Sequence, residues 1–263
     1  MTKERVDILL VQRGLAESRS QAQRLIMAGQ VRVLGQIVSK PSIKFAIDVP
    51  LEVEQPPRFV SRGGEKLLAA LERFKLDPKG KVCADVGAST GGFTDCLLQH
   101  GADRVYAIDV GQGILHWKLR NDHHVMVMEG TNARYVNRLP EVVTLVTVDA
   151  SFISLKILLP VIKYWFPKQG GDVIALVKPQ FEAGRKAVSR GSGVIRSPAI
   201  HRDVLKNVLS FAHEQNYSLV GLIRSPLLGP KGNVEFLAWL NYPKRLETNL
   251  EDQIKVVLPD EHS

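Results

Sequence analysis

The run Lys81-Val-Cys-Ala-Asp85-Val-Gly87-Ala-Ser89-Thr-Gly91-Gly92-Phe93 constrains this chain most, because an apolar strand pattern ends there in a glycine loop that opens a helical pattern. Gly87 permits the tight turn out of the strand, and Gly91 and Gly92 let helix amides approach a ligand that a β-carbon would push away. One strand later, Arg104-Val-Tyr-Ala-Ile-Asp109 ends in an acid about 20 residues past the loop, where a carboxylate reaches ribose hydroxyls. The spacing is DxGxxxGG, neither GxGxxG nor the GK[ST] ending of a phosphate loop. With no pyrophosphate to wrap, such a loop suits S-adenosylmethionine better than a dinucleotide. The loop alone reads as an ordinary glycine-rich turn; Asp109 turns it into a cofactor site. The candidate cofactor residues are Asp85, Gly87, Ser89, Thr90, Gly91, Gly92, Phe93 and Asp109. Asn132, in Glu129-Gly-Thr-Asn132, is either an adenine-edge contact or the cap of the next turn.

At 263 residues and 44% apolar content, the chain can bury one large α/β core and still carry a small module. The formal charge of +8 points to a polyanionic partner. Residues 1–44 hold eight lysines and arginines against three acids, residues 183–206 hold six against one, and the chain after Tyr242 is acidic. Cys83 and Cys96 form no CxxC pair and read as buried, reduced thiols. The longest apolar runs, such as Ile157–Ile162, fall short of the roughly 20 residues needed to span a bilayer, and Met-Thr-Lys-Glu-Arg lacks a signal-peptide core. A cytoplasmic location is expected.

Residues 5–14 read as a helix ending at Gly14. Ser18 and Gln21 form a capping box for a second helix with Ala22, Leu25 and Ile26 on its apolar face and Gly29 as its stop. A hairpin over 30–39 and a strand at Leu51-Glu-Val-Glu complete an α+β module over residues 1–55. Pro56-Pro57 opens a stiff linker, 56–62. From Gly63 a helix runs through Lys66, Leu67, Leu71 and Phe74. Strands are then expected near 81–86, 104–109, 124–128, 143–149, 172–177, 217–224 and 233–240, with helices near 91–100, 113–120, 155–164 and 198–215. This alternation predicts an α/β domain over 63–242 with a parallel sheet covered on both faces and its last two strands antiparallel. Residues 243–263 read as a tail.

Four charges fall where such a sheet gathers ligands. Asp149 closes the fourth strand, Lys178 closes the fifth, Glu235 lies in the last and Lys66 is on the helix before the first. Ligands of open α/β sheets bind beyond the carboxyl ends of the strands, so Asp149 and Lys178 should face the crevice of the glycine loop. A lysine ending an apolar strand is costly to bury unless paired. Taken singly, each charge reads as readily as a surface ion pair. The basic, glycine-rich segment 184–193 reads as a substrate loop or a plain surface loop.

The run Gly14-Leu-Ala-Glu-Ser-Arg19-Ser-Gln-Ala-Gln-Arg24-Leu-Ile-Met-Ala-Gly29-Gln-Val-Arg32-Val resembles an S4 RNA-binding domain. The resemblance implies phosphate contacts from Arg19, Arg24 and Arg32, with Arg5, Lys40 and Lys44 around them. Taken one at a time, these cations serve equally well to solubilise a small domain. The seven-strand pattern is similar to class I (Rossmann-like) methyltransferases. The set Lys66, Asp149, Lys178 and Glu235 resembles the Lys-Asp-Lys-Glu tetrad of ribose 2'-O-methyltransferases. The chain to about residue 242 is similar to the hemolysin-A-like (TlyA) rRNA methyltransferases, an S4 domain fused to an FtsJ-like methyltransferase domain.

The resemblance implies S-adenosylmethionine-dependent methylation of ribose 2'-hydroxyls in ribosomal RNA, without a metal. Lys178 would aid deprotonation, which requires its pKa to fall toward neutrality. Other readings are an RNA-binding protein that keeps the fold without activity, and the membrane-lytic role in the hemolysin name. Lys178-Pro-Gln-Phe181 lacks the Asn/Asp-Pro-Pro-aromatic strand end of base N6 chemistry. A pseudouridine synthase would need its own catalytic aspartate and no cofactor loop.

Overall fold

The computed structural model describes residues 2–54, 57–184, 193–245 and 249–258, and the chain divides into two compact units between Arg58 and Phe59. In the smaller unit, helices Val6–Gln12 and Arg19–Met27 bury Val6, Leu10, Ala22 and Ile26 with Val31, Val33 and Val38 of the hairpin. Ser18 Oγ accepts the Gln21 amide at 3.2 Å, while the Gln21 side chain accepts the Glu17 amide at 2.7 Å. The reciprocal cap therefore closes one residue earlier than the usual box. Val31–Val33 pairs antiparallel with both Gln36–Ile37 and Leu51–Val53. A further pair, Lys3–Arg5 with Lys44–Ala46, is too short for alternation to signal it.

Asp7 is fully buried beneath this unit's cationic side chains. It accepts hydrogen bonds from Arg5 at 2.9 and 3.0 Å, from Arg19 Nε at 2.9 Å and from Gln23 at 3.0 Å. Those bonds outweigh burial and hold its carboxyl well below the usual range.

The larger unit is built on a seven-stranded sheet in the spatial order Ser218–Arg224, Phe236–Tyr242, Gly171–Val177, Leu145–Val148, Val82–Val86, Arg104–Ile108, Val125–Met128. The last five of these run parallel, and Phe236–Tyr242 runs antiparallel to both of its neighbours. One face packs on helices Gly63–Phe74 and Gly92–Gln99 through Leu67, Leu71, Phe93, Cys96 and Leu97. The other packs on Leu155–Ile162 and Pro198–Glu214. Cover on both faces is why Leu145–Val148 is buried at every position. Cys83 and Cys96 are buried free thiols, and burial pushes Cys83 up to about 12.

Three expectations change. The helix expected over 113–120 contracts to Trp117–Arg120, because the residues before it form a loop tied to a neighbouring acid. The stretch read as a tail contains helix Leu250–Val257, whose Ile254 is fully buried in the main core with Leu258 beside it; so few apolar anchors in an acidic segment give little periodicity. Phe59 is 3% exposed and the Val60 amide donates to Asp95 at 2.9 Å, so these linker residues belong to the larger unit. Pro56 and residues 185–192 of the expected substrate loop lie outside the described residues.

Candidate active site

Topology alone brings the four charges together. The strands ending at Val148 and Val177 are parallel, so Asp149 and Lys178 leave the sheet at the same edge. The antiparallel strand enters there: Phe236 pairs with Val177, which sets the preceding Glu235 at that edge, just outside the strand. Lys66 reaches in from the first turns of helix Gly63–Phe74.

Two ion pairs result. Lys178 Nζ lies 2.7 Å from Asp149 Oδ1, and donates to the Asp149 carbonyl at 3.1 Å and to Ser151 Oγ at 2.9 Å. Lys66 Nζ donates to Glu235 Oε2 at 2.6 Å, while Glu235 Oε1 accepts from the Gln180 amide nitrogen at 3.2 Å. Lys66, Lys178 and Glu235 are buried, and burial raises the proton affinity of Asp149 against the pull of Lys178. All four line one cavity of about 880 Å³, together with Ser61, Arg62, Gln180 and Lys231. Phe152 and Phe181 stand at its wall with ring centroids 4.9 Å apart, and the Phe152 backbone has φ +64°. Such a conformation is strained for a bulky residue and presents the ring, 89% exposed.

A second cavity of about 550 Å³ shares Gly87, Ser89, Asp149, Ser151 and Phe152 with the first. Its far wall carries Asp109, Asn132 and Ala133. Each Asp109 oxygen accepts one amide at 2.8 Å, from Ser89 and from Gly111. A carboxylate has about four acceptor positions, so it retains capacity for two ligand hydroxyls. The volume lies within the range of small-molecule sites. Asn132 lines this cavity while its side chain accepts the Arg134 amide at 3.2 Å, so the cap of the next turn stands at the cavity wall. A vicinal-diol nucleoside fits this donor set.

The glycine loop meets both cavities, and Gly87 makes the turn out of its strand as expected, while neighbours within the protein also require Gly91 and Gly92. Gly87 has φ +83°, and a β-carbon there would fall 2.8 Å from the Ala150 Cα. Its neighbour is therefore the adjacent strand end. A β-carbon on Gly91 would meet Leu119 at 2.2 Å, and one on Gly92 would meet Ser61 Oγ at 2.2 Å. Thr90, Gly92 and Phe93 line only the larger cavity, and Gly91 lines neither. Asp85 likewise lines neither cavity. It is fully buried, accepts Thr94 Oγ1 at 2.7 Å and Thr147 Oγ1 at 3.1 Å, and burial pushes it up to about 7.

The cations of the smaller unit divide into paired and unpaired sets among the described residues. Arg5 and Arg19 share Asp7, and Arg32 Nε lies 2.5 Å from Glu54. Arg24, Lys40 and Lys44 are exposed and have no ion pair among the described residues. Each free cation on a nucleic-acid phosphate releases roughly 0.7–0.9 counterions. Replacing all three by alanine should therefore lower the slope of log affinity for ribosomal RNA against log salt by about two to three units. An unchanged slope in a filter-binding salt titration would remove this face from the RNA contact.

Residues that the sequence did not flag are Ser151, Gln180, Phe152 and Phe181, and also Glu129, whose carboxylate organises the loop beside Asp109. Ser151 and Phe152 follow Asp149, and Gln180 and Phe181 follow Lys178, so proximity to the tetrad was the only signal. No helix among the described residues is long and apolar enough to cross a membrane.

Comparison with known proteins agrees with this architecture. The S4 domain profile matches residues 4–45, and the FtsJ-like methyltransferase profile matches residues 59–242. The chain is 50% identical over 248 residues to YqxC of Bacillus subtilis, described as a candidate rRNA methyltransferase, covering 92% of this chain and 86% of that one. It is 46% identical over 244 residues to the 16S/23S rRNA (cytidine-2'-O)-methyltransferase TlyA of Mycobacterium tuberculosis, covering 90% of each. A solved structure of a candidate hemolysin from Streptococcus thermophilus superposes with a TM-score of 0.72 at 42% identity, covering 97% of this chain and 96% of that one. With a matched profile spanning the whole sheet and both cavities, this chain belongs to the FtsJ-like methyltransferase family, with an S4 domain at its N-terminus.

Proposed function

We propose that the protein transfers a methyl group from S-adenosylmethionine to a ribose 2'-hydroxyl of ribosomal RNA. The observation that carries this reading is the pairing of Lys178 with Asp149 and of Lys66 with Glu235 in one cavity that adjoins the Asp109 cavity. The relatives named for rRNA 2'-O-methylation support the substrate class. Asp109, Asn132 and the Gly87–Ser89 turn would hold the cofactor in the smaller cavity. When bound, it supplies an electrophilic methyl on a sulfonium, so the protein's contribution is alignment and proton removal.

A hydroxyl entering the larger cavity meets Lys178 in place of Ser151, the neutral side-chain acceptor of that amine. Lys178 is the amine placed to take the hydroxyl proton. Asp149, 2.7 Å away, orients that amine. Gln180 holds Glu235, and Glu235 fixes Lys66 at the wall of the same cavity, where it would orient the ribose. Arg62 and Lys231 at the cavity wall suit the flanking phosphates.

The test is a map of ribose methylation in ribosomal RNA from cells with and without this protein. At least one 2'-O-methyl should disappear with the protein and return when purified enzyme and S-adenosylmethionine are added to the unmodified subunits. Identical maps, with no transfer in vitro, would overturn the assignment.

A further inference from the structure

The loop between Asp109 and Trp117 carries Val110 and Ile114 on the wall of the smaller cavity, and both side chains are exposed. Nothing in its sequence, Val-Gly-Gln-Gly-Ile-Leu-His, favours one conformation, and two glycines loosen it. Yet it is pinned along its length. At its start Gly111 donates to Asp109 Oδ1 at 2.8 Å, and at its end the His116 amide donates to the Thr90 carbonyl of the glycine loop at 3.2 Å. At its centre the amides of Gly113, Ile114 and Leu115 all converge, at 3.0 Å each, on the carboxylate of Glu129. Gly113 has φ +70°, which turns the successive amides to one side. Three amides turned inward form an anion-binding concavity, and here the anion is the protein's own side chain.

Glu129 is in turn fixed from outside. Arg120 donates to both of its oxygens at 2.8 Å, and the acid is only 12% exposed. The Arg120 hydrogen bond, with those of the Leu115 and Gly113 amides, keeps it ionised down to about 2. It lines neither cavity.

We propose that Glu129 is the positioning residue of the cofactor site. Acting through the 113–115 amides, it sets the loop that covers the adenosine half of S-adenosylmethionine and holds Gly111 against Asp109. The inference rests on the proposed cofactor. It predicts an effect confined to cofactor affinity and shared by every ligand that carries the adenosine moiety.

Calorimetric titration of the full chain with S-adenosylmethionine and with 5'-methylthioadenosine tests it. Glu129→Gln keeps the shape but removes the charge, and should weaken both ligands by the same factor of roughly ten- to a hundredfold. In turnover assays the KM for S-adenosylmethionine should rise by that factor while kcat stays within about twofold, a split that general loss of structure does not give. Should Glu129→Gln fail to fold, Arg120→Met serves, with an expected loss of about threefold to tenfold. Wild-type affinity in either folded variant, or a fall in kcat at unchanged KM, overturns the proposal. Absence of S-adenosylmethionine binding by the wild-type chain would instead remove the proposed function.

Discussion

Lys178→Ala is expected to lower single-turnover methyl transfer by about a hundredfold to ten-thousandfold, the usual cost of losing a general base, while cofactor affinity stays within a factor of about three. The split follows from geometry, since Lys178 lines the larger cavity and Asp109 lines only the smaller. Alanine alone leaves two explanations, because it removes both a base and a cation. Lys178→Arg separates them. A guanidinium keeps the charge beside Asp149 but is not deprotonated in proteins, so it should be as inactive as alanine. Substantial activity in the arginine variant would make the residue an electrostatic clamp, and near-normal turnover by Lys178→Ala would remove it from the reaction.

Much of this site was legible because strand ends are legible. Unbroken apolar runs that stop at an acid or a lysine give both the parallel sheet and the edge at which the charges meet, so Asp149, Lys178 and Asp109 could be placed from pattern alone. Glu235 is subtler: it precedes its strand, and only the antiparallel register, Val177 opposite Phe236, delivers it. The glycine loop was legible as a turn but not in its steric detail. What demands Gly91 and Gly92 is Leu119 and Ser61, residues distant in sequence whose approach no local pattern records.

Asp85 shows the same limit from the other side. An acid at a strand end beside a glycine loop looks like a ligand contact, whereas two threonines from separate elements enclose it. The acidic stretch after Tyr242 hid a helix because burial there rests on few positions such as Ile254. Long-range contacts decided each of these cases, and a single sequence carries no trace of them.

The ion pairs of the smaller unit were illegible for the same reason, and Asp7→Ala is the change that exposes their arrangement. Arg5 and Arg19, expected among the cations that face RNA phosphates, are both bound to one fully buried carboxylate. Removing it leaves Gln23 and two guanidiniums without their acceptor, although the arginines, 32% and 54% exposed, regain water. The expected loss is therefore near the lower end for a broken buried pair, about 3 kcal/mol. A module of this size has a total stability of only about 3–8 kcal/mol, so such a loss is a large fraction of what holds it folded.

The acid dependence follows in sign. Asp7 is held well below its usual value of 3.8, so its contribution is complete above that pH and drains away as pH falls toward the lowered folded value. Below about pH 4 the wild-type module should lose stability that Asp7→Asn has already lost, so the two stability curves should converge on acidification. In chemical denaturation at neutral pH, Asp7→Ala should melt the smaller unit early while S-adenosylmethionine affinity, which depends on residues after Phe59, is unchanged. Methylation of ribosomal subunits should fall with the loss of RNA affinity rather than of chemistry. If the variant unfolds at the wild-type denaturant concentration and its stability keeps the wild-type acid dependence, Asp7 does not organise the module.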